Sequence, residues 1–265
     1  MKQEILKALS LDYPWPDRFH YVCETGSTND DLRAMAKAGA PHGTVLMAGT
    51  QRSGHGRMGR SFHSPQGAGV YMSILLRPDC APTELMHLTC AAAAAMCDAV
   101  EDAAGIRPGI KWTNDLVFGK RKLGGILTEL GLSKKGTVDW IIVGIGINCN
   151  QAEYDFPEDI RSIAGSLAMA TGSKVNRTKV AAAMMEHLYV MSCTLFSGKF
   201  VMLRQYRRDC VTLGQEVSIL RGDAVSHALA VDIDPEGALV VRYTDGTVEA
   251  VNSGEVSIRG MYGYL

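Results

Sequence analysis

The chain has 265 residues, 46% of them apolar, and a mean hydropathy close to zero, which lets it bury a full core plus a smaller second one and excludes a disordered polypeptide. Its 27 basic residues are balanced by 28 acidic ones, so affinity for polyanions has to come from a local patch, and a general nucleic-acid binder is disfavoured. The seven cysteines are scattered with no C-x-x-C pair, a pattern that fits reduced cytosolic thiols better than a disulfide framework or a zinc site.

In chain order, the first twenty residues carry Lys2, Glu4, Lys7, Asp12, Asp17 and Arg18, so no apolar signal-peptide core forms there. No later run approaches the length of about 20 apolar residues that spans a bilayer, and a cytoplasmic protein without membrane association is expected. Ser27-Thr28-Asn29 offers N-cap groups before a helix over 30–38 that stops at Gly39 and Pro41. Residues 44–49 read as a short strand, which delivers the chain into Gln51-Arg52-Ser53-Gly54-His55-Gly56-Arg57-Met58-Gly59-Arg60. A buried strand follows over 69–76, then an alanine-rich helix over 82–104 with apolar residues at helical spacing and a stop at Gly105. Strands over 110–112, 116–118, 123–130 and 140–147 follow too closely for parallel crossovers, so they should pair antiparallel. A helix is expected over 176–200. Beyond about residue 212 only short β segments remain, over 217–220, 228–233, 239–243, 247–250 and 256–258, separated by turn signals such as Asp234-Pro235-Glu236-Gly237 and Ser253-Gly254. The chain thus divides into a mixed α+β body over 1–211 and a small β-barrel over 212–265.

The loop 51–60 contains a literal G-x-G-x-x-G, but the dinucleotide fingerprint needs a helix to open directly after it, and here Ser61-Phe62-His63-Ser64-Pro65 leads to a strand. A glycine-rich surface turn would be the bland reading. Against it stands the interleaving of glycine with Arg52, Arg57 and Arg60, which combines close backbone approach with charge-assisted bonds to phosphate oxygens. Such a loop should hold a phosphate, and be mobile without one. Lys111-Trp112-Thr113-Asn114-Asp115 places a base, an amide and a carboxylate at the tip of a tight strand-turn-strand. Arg121-Lys122-Leu123-Gly124-Gly125-Ile126-Leu127 and Gly144-Ile145-Gly146-Ile147-Asn148 are strands whose glycines let a substrate pass near the backbone. Taken singly, Lys122 is a solvated strand end, Asp115 a turn former, Asn148 a strand cap and Trp112 core.

The order of these pieces closely resembles the biotin protein ligases, from about Tyr21 to the C-terminus. The resemblance implies a catalytic domain related to class II aminoacyl-tRNA synthetases and lipoate ligases, with a mixed, largely antiparallel sheet, followed by an SH3-like domain. It implies ATP-dependent activation of biotin to biotinyl-5′-AMP and transfer of biotin to a lysine of biotin carboxyl carrier domains, with ATP, Mg²⁺ and biotin as substrates and no tightly bound prosthetic group. By the same resemblance Ser27, Thr28, Asn29, Gln51, Gly54, Gly125, Ile126 and Leu127 would bind biotin. Arg57 and Lys122 would grip its carboxylate and the phosphate, and Arg60, Phe62, Asn114 and Asn148 would serve the nucleotide. Asp115 is catalytic in this reading, as a magnesium ligand or as acceptor of the lysine proton, a role a substrate phosphate oxygen can equally fill. Three positions depart from the commonest pattern: His55 where Arg is frequent, Phe62 where Trp is frequent and Thr113 where Pro is usual. Phe62 stacks on adenine more weakly than an indole does. Repressor relatives carry an N-terminal helix-turn-helix; about twenty residues precede the first motif here, so direct DNA binding is not expected. A homodimer formed along edge strands, as in some relatives, is a possible assembly. A lipoate ligase and a non-catalytic biotin or nucleotide sensor are the competing readings. The tryptophan-containing turn and the Arg57 loop argue against the first, and Arg57 with Lys122 argues against the second.

Overall fold

The computed structural model describes residues 1–252 and the backbone of 257–260. Seven strands form one sheet: β1 (Phe19–Val22), β2 (Val45–Ala48), β3 (Gly69–Leu76), β4 (Gly109–Lys111), β5 (Asp115–Phe118), β6 (Arg121–Leu132) and β7 (Val138–Asn148). Their spatial order is β1-β2-β3-β7-β6-β5-β4. Only β1 and β2 run parallel, joined by the crossover helix α2 (Thr28–Lys37); every other pair is antiparallel, as the short connections require.

Alternation along the central strands sorts the core onto two faces. Val45, Met47, Ile74, Leu76, Ile141 and Val143 face α3 (Leu88–Ala104) and its neighbours, whereas Leu46, Leu75, Trp140 and Ile142 pack with Leu32 and Ala36 of α2. Helix α3 is buried almost all round, between the sheet and two further helices, α5 (Arg177–Thr194) and α6 (Lys199–Asp209). Its run of small residues suits that position, because alanines let neighbouring backbones approach closely.

Several elements differ from their expected extents. α1 (Lys2–Ala8), which buries only Ile5, and the four-residue β1 carry too little periodic signal to be read from sequence. The expected helix 82–104 is a 3-10 turn over Pro82–Leu85 followed by α3, whose N-cap His87 places its ring Nε2 2.8 Å from Leu195 O. The expected helix 176–200 is two helices, α5 ending at Thr194 and α6 continuing to Asp209. Gly198 sits in the joint, where a Cβ would lie 2.8 Å from Thr194 O. A short helix, α4 (Leu167–Thr171), precedes them. The C-terminal strands β8 (Glu216–Arg221), β9 (Ala224–Ile233), β10 (Leu239–Arg242), β11 (Val248–Val251) and β12 (Ser257–Gly260) form a separate antiparallel sheet in the order β11-β10-β9-β8-β12, compatible with an SH3-like domain. The expected turn at Ser253-Gly254 and strand residue Val256 lie outside the described residues. All seven cysteines are free thiols, and among the described residues no helix is long and apolar enough to cross a membrane.

The end of α6 is tied to the residues after α3 by a charge cluster around the buried Asp209. Arg107 Nη2 lies 2.7 Å from Asp209 Oδ2, and Arg208 Nε lies 2.9 Å from Asp209 Oδ1. Burial alone would raise the Asp209 carboxyl, but the bonds from Arg107 and Arg208 outweigh it and hold its pKa below the ordinary carboxylate value. A depressed folded-state pKa contributes stability above the unfolded value, lost as the pH falls through the folded one. Asp209→Ala should therefore cost about 1 to 2 kcal/mol at neutral pH, because Arg107 keeps Asp98 and Glu101 as partners and Arg208 is exposed. Thermal melts against pH should show that deficit shrinking below about pH 4.

Candidate active site

A cleft opens on the α2 side of the sheet. On that face of β7, Trp140 and Ile142 support α2, and the next two residues of the same orientation are Gly144 and Gly146. A Cβ on Gly144 would lie 2.0 Å from Asn29 Oδ1, and one on Gly146 would lie 2.3 Å from Phe62 Cε1. The glycines thus let Asn29 and the Phe62 ring lie directly on the strand.

At one end of the cleft the start of α2 is fixed by polar contacts. Ser27 is the N-cap but makes no capping bond with its side chain; instead the Gln51 carboxamide oxygen accepts from Thr28 N at 2.8 Å and from Thr28 Oγ1 at 3.1 Å. Gln51 Nε2 donates to Ser64 Oγ at 3.1 Å. Ser73 Oγ, on β3, lies 2.7 Å from Thr28 Oγ1 and 2.6 Å from Asn29 Oδ1. Asn29 Nδ2 donates to Glu129 Oε2 at 2.7 Å, and Arg33 Nη2 pairs with Glu129 Oε1 at 2.6 Å.

The loop 51–60 is a folded hairpin. Phe62 N donates to Gly54 O at 2.8 Å and Gly56 N to Arg60 O at 2.6 Å, with Met58 in the left-handed region (φ 56°) at the tip. Gly54 does not line the cleft. It allows the hairpin to close, since a Cβ there would lie 2.7 Å from Phe62 O. The three arginines part company: Arg52 pairs with exposed Glu24 at 3.3 Å, whereas Arg57 and Arg60 line the cleft. His55 Nε2 lies 2.8 Å from Asp30 Oδ2, tying the hairpin to α2.

Opposite the hairpin, β4 and β5 pair Lys111 with Asp115 across the turn 112–114, whose Trp112–Thr113 peptide bond is cis. Asn114 Nδ2 donates to Ile126 O at 2.9 Å, and its Oδ1 accepts from Arg57 Nη1 at 3.2 Å. Lys122 Nζ donates to Asp115 Oδ1 at 2.6 Å. Sheet register explains this convergence, because Asp115 stands beside Gly125 and Gly125 beside Gly146. Two glycines on adjacent strands, Gly125 and Gly146, thereby form a floor without bulk beside the charged groups. Burial draws the Arg57 guanidinium pKa below its ordinary value, with Asp115 acting in the opposite sense. A guanidinium starts so high that it remains a cation at neutral pH.

The lining joins residues that are far apart in sequence. Ser27, Thr28, Asn29 and Gln51 stand at the α2 end; Gly125, Ile126 and Leu127 form the wall; Arg57, Arg60, Phe62, Asn114, Asp115 and Lys122 occupy the rest. Asn148 is the exception besides Gly54: it is buried, donates from Nδ2 to Gly165 O at 3.0 Å and accepts from Gln151 Nε2 at 3.2 Å, and does not line the cleft. Lys111 and Trp112 do line it, with His55 and Ser61, although motif reading assigned them no role. For Lys111 a signal existed, a lysine placed among strand apolar residues. The cleft carries Arg57, Arg60, Lys111 and Lys122 against one carboxylate, Asp115, and so suits a ligand with several negative charges.

Comparisons with known proteins agree with this architecture. Residues 21–148 match the Biotin/lipoate A/B protein ligase family, and residues 212–259 match the Biotin protein ligase C terminal domain. The chain is 34% identical over 244 residues to the bifunctional ligase/repressor BirA of Bacillus subtilis, covering 88% of this chain and 71% of that protein. It is 31% identical over 241 residues to the biotin–[acetyl-CoA-carboxylase] ligase of Mycobacterium tuberculosis, covering 89% and 86% respectively. Its fold superposes on the biotin protein ligase from Aquifex aeolicus in complex with biotin and ATP with a TM-score of 0.78 and 30% identity, over 91% of this chain and 98% of that one. With a glycine-floored cationic cleft, a C-terminal sheet and relatives matched along most of their lengths, the chain belongs to the biotin protein ligase family.

Proposed function

We propose that this chain activates biotin with ATP to biotinyl-5′-AMP and transfers the biotinyl group to a lysine of a biotin carboxyl carrier domain. The observation that carries this reading is the convergence of Arg57, Asn114, Asp115 and Lys122 through two hydrogen bonds, 3.2 and 2.6 Å long, beside a glycine floor. In the first step the biotin carboxylate attacks the α-phosphorus in line and pyrophosphate leaves. Both reactants are anions, so alignment and charge cancellation do the work, and Arg57, Lys122 and the magnesium that arrives with ATP supply them. Among the described residues no group of three or more His, Cys, Asp or Glu is placed to hold a metal. Magnesium is thus expected to take most of its ligands from phosphate and water, as it commonly does.

The biotin end is assigned to Ser27, Thr28, Asn29, Gln51 and the wall 125–127. The nucleotide end is assigned to Arg60 and to Phe62, packed against Gly146, with Asn148 behind the lining. In the second step the lysine ε-amine loses a proton and attacks the acyl carbon, and AMP leaves. The role of Asp115 divides cleanly in experiment. If Asp115 takes that proton, Asp115→Asn should keep pyrophosphate release and lose transfer to the carrier; if it holds magnesium, adenylation should fall and recover at raised magnesium.

Incubation with biotin and Mg·ATP should yield pyrophosphate and bound acyl-adenylate, and a carrier domain should then accept the label. Biotin should raise the melting temperature and lipoate should not. Absence of pyrophosphate with folded protein would point to a sensor instead. The balanced charge supports a protein-modifying role without direct DNA contact, and the free thiols suit a reducing cytoplasm. Edge strand β1 offers a place for two copies to pair, which sedimentation with and without biotin would detect.

A further inference from the structure

The turn that delivers Asn114 and Asp115 into the cleft is held from behind by residues nearly a hundred positions and more downstream. Trp112 N donates to Thr212 Oγ1 at 2.9 Å. The Trp112 indole Nε1 donates to Gly237 O, in the C-terminal sheet domain, at 3.1 Å. Tyr206 OH, on α6, donates to Thr113 O at 3.1 Å. All of these groups are buried, with Trp112 5% and Tyr206 0% exposed, so each bond has no water to replace it.

The acceptor at Gly237 is itself fixed. Asp234 Oδ1 accepts from Glu236 N and Ala238 N, both at 2.8 Å, which closes the turn, and Gly237 takes φ 84°, in the region glycine favours. Lys199 at the start of α6 pairs with Glu236 at 2.9 Å, and Arg207 at its end donates to Ile233 O at 2.9 Å. A Cβ on Gly237 would lie 2.9 Å from Cys90 Sγ of α3, so the turn seats against the catalytic body without room to spare. The β10-side turn is therefore a rigid bracket, and Trp112 is the piece of the catalytic domain bolted to it.

We propose that Gly237, Thr212 and Tyr206 are positioning residues of the adenylation step. They fix the Trp112–Thr113 backbone and indole, and thereby the aim of Asn114 at Arg57 and of Asp115 at Lys122. The C-terminal domain thus acts in catalysis from outside the cleft, touching no substrate. The inference rests on the adenylating function proposed above.

The test uses the full chain with Thr212→Val, Tyr206→Phe and the two combined, none of which removes a group that lines the cleft. Thr212→Ser, which keeps the hydroxyl, is the conservative control. Pyrophosphate release at saturating biotin and Mg·ATP, well below the lowest melting midpoint, should fall about tenfold or more in the double variant, with KM for biotin within about twofold of the parent. Thr212→Ser should restore most of the rate lost in Thr212→Val. A folded double variant with parental kcat, or one in which only the melting midpoint moves, would overturn the proposal, and so would a Thr212→Ser as slow as Thr212→Val. If the parent chain forms no acyl-adenylate, the functional reading fails and this one with it; if the parent is active and the variants match it, only this one fails.

Discussion

Arg57→Ala should slow acyl-adenylate formation about a hundredfold, the equivalent of about 3 kcal/mol of transition-state stabilisation. Arg57 lines the cleft, donates to Asn114 Oδ1 at 3.2 Å and sits in a partly buried place where its charge is weakly screened. The attacking carboxylate and the α-phosphate repel each other most in the transition state, so loss of the cation should fall on kcat more than on the biotin KM. A second effect follows from the loop. With Arg57 gone, the hairpin 51–60 keeps its backbone bonds but loses its grip across the cleft to the turn 112–114, so the lid over the mixed anhydride is weakened. Bystander lysines should then become labelled, which mass spectrometry of a mixed-protein incubation would show. Wild-type adenylation and wild-type acceptor selectivity in the variant would sink the phosphate-clamp reading of the loop.

Lys122→Met should be more damaging, by roughly a further order of magnitude. Its ammonium is 2.6 Å from Asp115 Oδ1, so the substitution removes a cation and also leaves a carboxylate facing the incoming phosphates. Net charge at the reacting end changes by one unit, so the field of Asp115 is offset by fewer cations. Single-turnover measurements should place the loss in adenylation, with affinity for biotin alone much less affected. Lys122→Arg should recover only part of the rate, since a guanidinium fork does not reproduce a point ammonium beside both the carboxylate and Gly125, whose Cβ position lies 3.3 Å from Lys122 Nζ. Equal rates for Lys122→Met and the parent would remove Lys122 from the mechanism.

The two predictions draw on different kinds of information. Arg57 is readable locally, because arginine alternating with glycine has few uses besides an anion. The partnership of Lys122 with Asp115 is not, because it arises from a strand pairing that places Asp115 opposite Gly125. Elements read well where the signal was local and strong: β3 occupies the expected residues, and α3 ends at Gly105 with φ 71° as a left-handed stop should. Helices 82–104 and 176–200 read less well, since the first opens as a separate 3-10 turn before His87 caps α3 and the second breaks at a close turn at Gly198.

Local chemistry in the sequence by itself determined the class of ligand, the two β-rich segments and the set of glycines and cations that must meet. Such features depend on residue type and short-range spacing, which a linear chain displays. Tertiary structure alone decided which members of that set share a surface. It turned Arg52 outward to Glu24, set Gly54 and Asn148 behind the lining, brought Lys111 into the cleft, and fastened Trp112 to a carbonyl 125 residues away. Register, strand alternation and burial make those choices, and they are properties of pairs of segments that no single segment carries.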